Sequence, residues 1–146
     1  MKAKLIRHSQ EKTFAVVFDP GEEVVAGLLR FAREQKLTGA HLTAIGAFER
    51  VTLGFFELAK KDYKKIPIEE QVELMSLVGN IAQDEKGEPK LHAHVVVGKS
   101  DGSAHGGHLL EASVRPTLEV VIVESAGHLR RKMHAHLGLA LLDVSS

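Results

Sequence analysis

The constraint that most limits this chain is its punctuation. Short runs of β-branched, aromatic and aliphatic residues recur from Thr13 to Val144, each closed by turn-forming or charged residues, and a single stretch carries a clear helical period. Thr13-Phe-Ala-Val-Val-Phe18 reads as a strand and stops at Asp19-Pro20-Gly21-Glu22. That stop doubles as a helix start, with Asp19 as N-cap, Pro20 in the first turn and Glu22 closing a capping box. Val24, Leu28, Phe31 and Ala32 then fall on one face, and Gly39 fits a helix stop. The pattern predicts one long amphipathic helix over about 20–37.

Strands follow. Ala40 to Phe48 and Val51 to Leu58 flank Glu49-Arg50, which suggests a hairpin. Lys60-Lys-Asp-Tyr-Lys-Lys65 reads as a solvated loop, and Val72 to Ile81 as a strand. Asp84 to Pro89 has turn chemistry, Lys90 to Gly98 is strand-like, and Ser100-Asp101-Gly102 is the strongest hairpin turn. Thr117 to Glu124 and Leu137 to Val144 complete the set. The expected fold class is α+β, a mainly antiparallel sheet with the helix packed on it.

At 146 residues, with no linker or internal repeat, residues 1–146 read as one domain. Hydrophobic residues at 44% and charged residues at 26% exclude disorder and collagen. The absence of Cys removes disulfides, Cys-zinc sites and thiol nucleophiles. Lys+Arg 19 against Asp+Glu 19 lacks the basic excess of a chain that grips a phosphate backbone by itself. No apolar run approaches the ~20 residues of a membrane span. The first residues lack the apolar stretch of a signal peptide, so the expected location is the cytoplasm.

Nine histidines make imidazole the chemistry to follow. In Leu91-His92-Ala93-His94-Val95 the strand period puts both imidazoles on one face, roughly 6–7 Å apart at Cα. Gly106-Gly107-His108 lies on the segment returning from the Asp101-Gly102 turn, and could bring a third imidazole alongside. Three His nitrogens and an open position is the pattern of a catalytic zinc site. The same spacing also fits strand histidines that hydrogen-bond in a polar pocket or lie exposed. Glu73, Glu111 and His105 are candidate neighbours to the group. His134-Ala135-His136 follows the basic patch Arg130-Arg131-Lys132 and reads as surface. His8, His41 and His128 stand alone. The glycine-rich 102–107 stretch has neither a P-loop lysine nor dinucleotide spacing, and no G-x-S-x-G elbow occurs.

The ordered set Ala44 to Glu57, Val72-Glu-Leu-Met-Ser-Leu-Val-Gly-Asn-Ile81, Leu91-His-Ala-His-Val95, Asp101-Gly102 and Gly106-Gly-His-Leu109 resembles the plants-and-prokaryotes-conserved (PPC) domain. This is the domain that follows AT-hooks in plant nuclear proteins. The resemblance spans nearly the whole chain. It implies an antiparallel α/β sandwich-like fold, a homotrimer, and a metal-binding unit falling on His92, His94 and His108. The stretch matching Val72 to Leu77 serves partner contacts in plant relatives, and prokaryotic members are commonly described as DNA-binding. The Arg-Gly-Arg-Pro core of an AT-hook does not occur here.

The reading that follows is a trimeric metal-binding protein with a divalent ion, zinc, and a DNA-binding or regulatory role. The alternative is a small metal-dependent enzyme, lyase- or decarboxylase-like. The three-histidine set also looks like that of acetolactate decarboxylase, with Glu73 or Glu111 to handle a proton. A third reading is a plain interaction domain with structural histidines.

Overall fold

The computed structural model describes residues 2–8, 11–125 and 127–144. The elements run β1 (Lys2–His8), β2 (Lys12–Phe18), α1 (Val24–Glu34), β3 (Gly39–Glu57), β4 (Asp62–Ile68), β5 (Val72–Gln83), β6 (Pro89–Gly98), β7 (Ala104–Glu124), β8 (Arg130–His134) and β9 (Leu139–Asp143). The strands form one sheet in the order β1-β2-β7-β3-β5-β8-β9, with β4 added to β3 and β6 joined to both β5 and β7. A single parallel contact, Gln83 with Arg130, links β5 to β8, and the other pairings are antiparallel. The pairings β3–β5, β5–β6, β6–β7 and β7–β3 close a circuit. That closure brings the H-x-H strand and the G-G-H strand side by side.

Alternation decides the faces. On β3, Ala40, Leu42 and Ala44 are buried while His41, Thr43 and Ile45 are exposed. On β6, Ala93, Val95 and Val97 enter the core, so His92, His94 and Val96 face outward. The core sits between the sheet and α1, whose buried stripe is Val24, Gly27, Leu28, Phe31 and Ala32. Phe31 meets Phe14 edge-on at 5.2 Å. A Cβ at Gly27 would come within 2.4 Å of the Phe18 ring, so only glycine allows this helix to lie so close to β2.

The helix is shorter than the expected 20–37. Glu22 accepts the Asp19 N–H (2.9 Å) as a capping box would, but Gly21 adopts φ +85 and turns the chain away. Gly21 N–H donates to Val114 O and Val114 N–H to Glu22 O, so this segment pairs with β7 instead of coiling. Glu23 becomes the N-cap, accepting the Ala26 N–H at 2.6 Å, and its other carboxylate oxygen accepts the Ala112 N–H at 3.2 Å. The helix ends at Glu34 with Gln35 as C-cap, and Lys36, not Gly39, is the left-handed residue that stops it. Lys36 takes φ 55, and the bonds Leu37 N–H to Ala32 O and Lys36 N–H to Arg33 O make a Schellman motif.

The expected hairpin at Glu49-Arg50 is absent. β3 runs through those residues, with register shifts against β7 at Phe48/Arg50 that absorb the polar pair. Glu49 reaches across the ladder to Arg115 (3.2 Å). The true hairpin turn follows Glu57, and most of the lysine-rich segment read as loop is β4, paired to β3. The basic patch at Arg130 is β8, paired with β9. Among the described residues no helix is long and apolar enough to cross a membrane.

Candidate metal centre

The H-x-H and G-G-H segments meet as the strand period and the Asp101-Gly102 turn suggest. Gly102 takes φ +81, and Asp101 accepts from both the Ser103 N–H (2.8 Å) and the Ser103 hydroxyl (2.6 Å), pinning the β6–β7 turn. The register then sets His94 directly opposite His108. Gly107 carries no side chain where a Cβ would stand 3.0 Å from Gly54 O, so β7 can close on β3 next to His108. The ring centroids of His92 and His94 are 5.1 Å apart, those of His92 and His108 5.3 Å, and those of His94 and His108 5.5 Å. One nitrogen from each ring lies within 4.8 Å of the others, and the Nε2 atoms of His92 and His94 are 3.1 Å apart.

The chemistry of this group fits a divalent cation. Burial, reinforced by the neighbouring imidazoles and Arg131, pushes His108 down to about 4. Burial likewise lowers His92, with Arg131 and His94 adding to it. Neutral imidazoles near pH 7 carry free lone pairs, the form a metal requires. His108 Nδ1 is buried with no hydrogen-bond partner, an orphaned polar atom of the kind that marks a missing ion or water.

Two further residues at this site lie in runs whose charge reads as solvent-facing in the sequence. Tyr63, on β4, stacks on the His108 ring at 4.7 Å and 29°. Its position depends on Gly54, where a Cβ would sit 2.8 Å from the Tyr63 ring. Burial raises the Tyr63 phenol, with the Arg131 charge opposing. Arg131, on β8, is 7% exposed, contrary to the expected solvated face. Its guanidinium donates to Asn80 Oδ1 and to Ala140 O (3.2 Å). Asn80 is the register partner of His92, so Arg131 ties β8 to the strand beside the H-x-H pair. Tyr63, His92, His108 and Arg131 together border a cavity of about 430 Å³. Tyr63 is the one tyrosine of the chain and sits among lysines, which is the signal that could have drawn attention to it.

The other candidates do not join the group. Glu111 is exposed and accepts from the Thr52 hydroxyl at 2.9 Å, beside a separate pocket that Glu23 and Arg50 also line. Glu73 is exposed on β5, level with Ala47 and Gly98 in its neighbours. His105 is exposed and pairs with Val97, away from the His94–His108 pair. His134 and His136 form a ring pair at 5.8 Å that no third ligand joins among the described residues. His41 and His128 are exposed, and the side chain of His8 lies outside the described residues.

Known structures extend this picture. A plant- and prokaryote-conserved (PPC) protein of Pyrococcus horikoshii is similar over 99% of this chain and 96% of its own, at 32% identity and TM-score 0.85. A metal-containing protein of Archaeoglobus fulgidus is similar over 97% of this chain and 96% of its own, at 31% identity and TM-score 0.82. A Bacteroides thetaiotaomicron protein put forward as DNA-binding is similar over 99% of both chains, at 29% identity and TM-score 0.87. The α-acetolactate decarboxylase of Bacillus subtilis shares the fold alone, at 16% identity and TM-score 0.59, over 90% of this chain and 60% of its own. Among curated proteins no match to the chain is found. The Plants and Prokaryotes Conserved (PCC) domain matches residues 6–126, most of the sequence, and with the fold and the two similar structures above 30% identity this places the chain in that family.

Proposed function

We propose that this protein is a metal-binding PPC-type protein in which His92, His94 and His108 hold one divalent ion, zinc, in each subunit of a homotrimer. The convergence of the three imidazoles, one nitrogen of each within 4.8 Å of the others, carries the reading. An all-nitrogen donor set in a chain without Cys suits zinc. The Archaeoglobus relative is described as metal-containing, which supports a metal in this protein. The trimer is supported by an exposed apolar face. Val17, Ile45, Met75 and Val121 line one shallow depression on the outward side of the sheet, each at least 38% exposed. A regulatory, DNA-associated role is supported by the name given to the Bacteroides relative. The basic residues available for it are Lys60, Lys61, Lys64, Lys65 and Arg130, which assembly would have to gather into one surface. Arg131 is buried and does not contribute.

Plasma mass spectrometry of protein purified without added metal tests the site. The expected result is about one zinc per subunit, lost when all three histidines are changed to Ala. Metal retained by that variant would dismiss these ligands. A DNA filter-binding titration tests the nucleic-acid role, which predicts binding that weakens steeply with salt; no binding at low salt removes it.

A second reading, a small metal-dependent enzyme of lyase or decarboxylase type, is favoured by the cavity. A closed structural site would have no space beside it, yet His92 and His108 border an open volume of about 430 Å³. A divalent ion there would polarise a carbonyl or activate a water. Turnover of a 2-hydroxy-2-methyl-3-oxo acid that stops on chelation would establish this reading, and none would retire it.

A further inference from the structure

The most unusual group in the molecule outside the imidazole cluster is Arg131. It is 7% exposed, yet no carboxylate among the described residues forms an ion pair with it. Two of its nitrogens donate to neutral acceptors, Asn80 Oδ1 and Ala140 O, while Nε is buried with no partner at all. A buried cation held only by neutral dipoles is costly, and natural proteins normally pair it. The two acids that line the same cavity, Asp84 and Glu85, are engaged elsewhere, and Lys86 and Lys90 stand on its wall beside them. Asp84 pairs with Lys90 at 3.4 Å and accepts the backbone N–H groups of Lys86 and Glu88. Glu85 accepts the Met133 N–H at 3.4 Å. The missing counter-charge is therefore not supplied by the described chain.

The rest of the cavity says what kind of anion would fit. Leu91, Met133, Leu139 and Leu141 line it alongside the guanidinium. Its volume of about 430 Å³ falls within the usual range for small-molecule sites. An inorganic ion would leave those side chains bare, and an uncharged hydrocarbon would leave the guanidinium unpaired. We propose that this cavity binds a small aliphatic carboxylate, its carboxyl group held by the fixed guanidinium of Arg131 and its chain packed on Leu91, Met133, Leu139 and Leu141. Asn80 and Ala140 orient the guanidinium plane before the ligand arrives, which lowers the ordering cost of binding. The proposal rests on Arg131 and the cavity and holds with or without the ion.

Calorimetric titration of the whole protein with hexanoate, and with uncharged hexanamide of the same shape, tests it. Both are run on chelator-stripped and on zinc-loaded protein. Hexanoate should bind the stripped protein about tenfold or more tighter than hexanamide, because the charge-assisted bond is the main anchor. Arg131→Met should remove that preference, and Arg131→Lys should keep part of it. If Arg131→Met does not fold by circular dichroism, Leu139→Trp narrows the cavity while keeping the Arg131 side chain and should block hexanoate. Absence of hexanoate binding, equal binding of acid and amide, or binding unchanged by these substitutions would each overturn the proposal. Hexanoate binding that needs zinc and ignores Arg131 would overturn it while leaving the metal site intact. Failure of the three histidines to hold metal would leave the stripped-protein result free to decide.

Discussion

His108 shows how a single side chain couples this site to pH. Burial and its like-charged neighbours pull it from the ordinary 6.5 down to about 4, so the unfolded chain takes up a proton there before the folded one does. Stability of the metal-free protein should therefore be flat above 6.5, fall as pH drops through that value, and level off near 4. Thermal melts across this window should show the fall, and His108→Gln should flatten it; an unchanged slope would mean other groups are responsible. In the folded chain that protonation competes with metal only as pH nears 4, so His108 should remain a zinc ligand down to about that value. Tyr63 offers a second test. Gly54→Ala places a methyl 2.8 Å from the Tyr63 ring, displacing it from His108, and should weaken zinc affinity by about tenfold in a chelator competition. Tyr63→Phe keeps the stack and should leave affinity nearly unchanged. The imidazole pair was legible because a strand has a period of two residues and H-x-H needs nothing more. Tyr63 and Arg131 were not, because each sits in a run of charge that locally reads as solvated. Only the pairing of β4 to β3 and of β8 to β9 turns them inward.

At the level of elements, most strands could be read from alternation and turn residues, and the errors have a common cause. Glu49-Arg50 and Asp19-Glu22 look like local signals for a turn and a cap, but both are overridden by β7. Arg115 pairs with Glu49, and Val114 pairs with the backbone of Gly21 and Glu22. A single strand of 21 residues therefore extends β3 through a polar pair and delays α1. Helix α1 carries two further predictions. Lys36 holds a left-handed conformation that favours glycine, so Lys36→Gly should stabilise the protein by about 0.5–1 kcal/mol in urea denaturation. Leu28, fully buried between α1 and the sheet, should cost about 2–5 kcal/mol when changed to Ala. A loss much below that range would mean the helix packs less tightly than its contact with Phe18 indicates.

The whole molecule places its chemistry at the seam of its closed strand circuit. His94 sits where β6 meets β7, with Val78 across from it on β5, itself 59% exposed. The three-histidine group thus has an exposed apolar side chain beside it on the neighbouring strand. Light scattering should give a particle three times the 15.9 kDa chain, and Ile45→Glu, at a position 60% exposed, should reduce it to the monomer without unfolding it. A monomeric parent protein would remove the trimer. The account as a whole turns on the histidines. Anomalous diffraction from crystals of the protein as purified, recorded on both sides of the zinc absorption edge, tests them most directly. The account predicts one peak per chain, bonded to a nitrogen of each of His92, His94 and His108. A map with no peak among those rings, or with the metal bound to other residues, would contradict it.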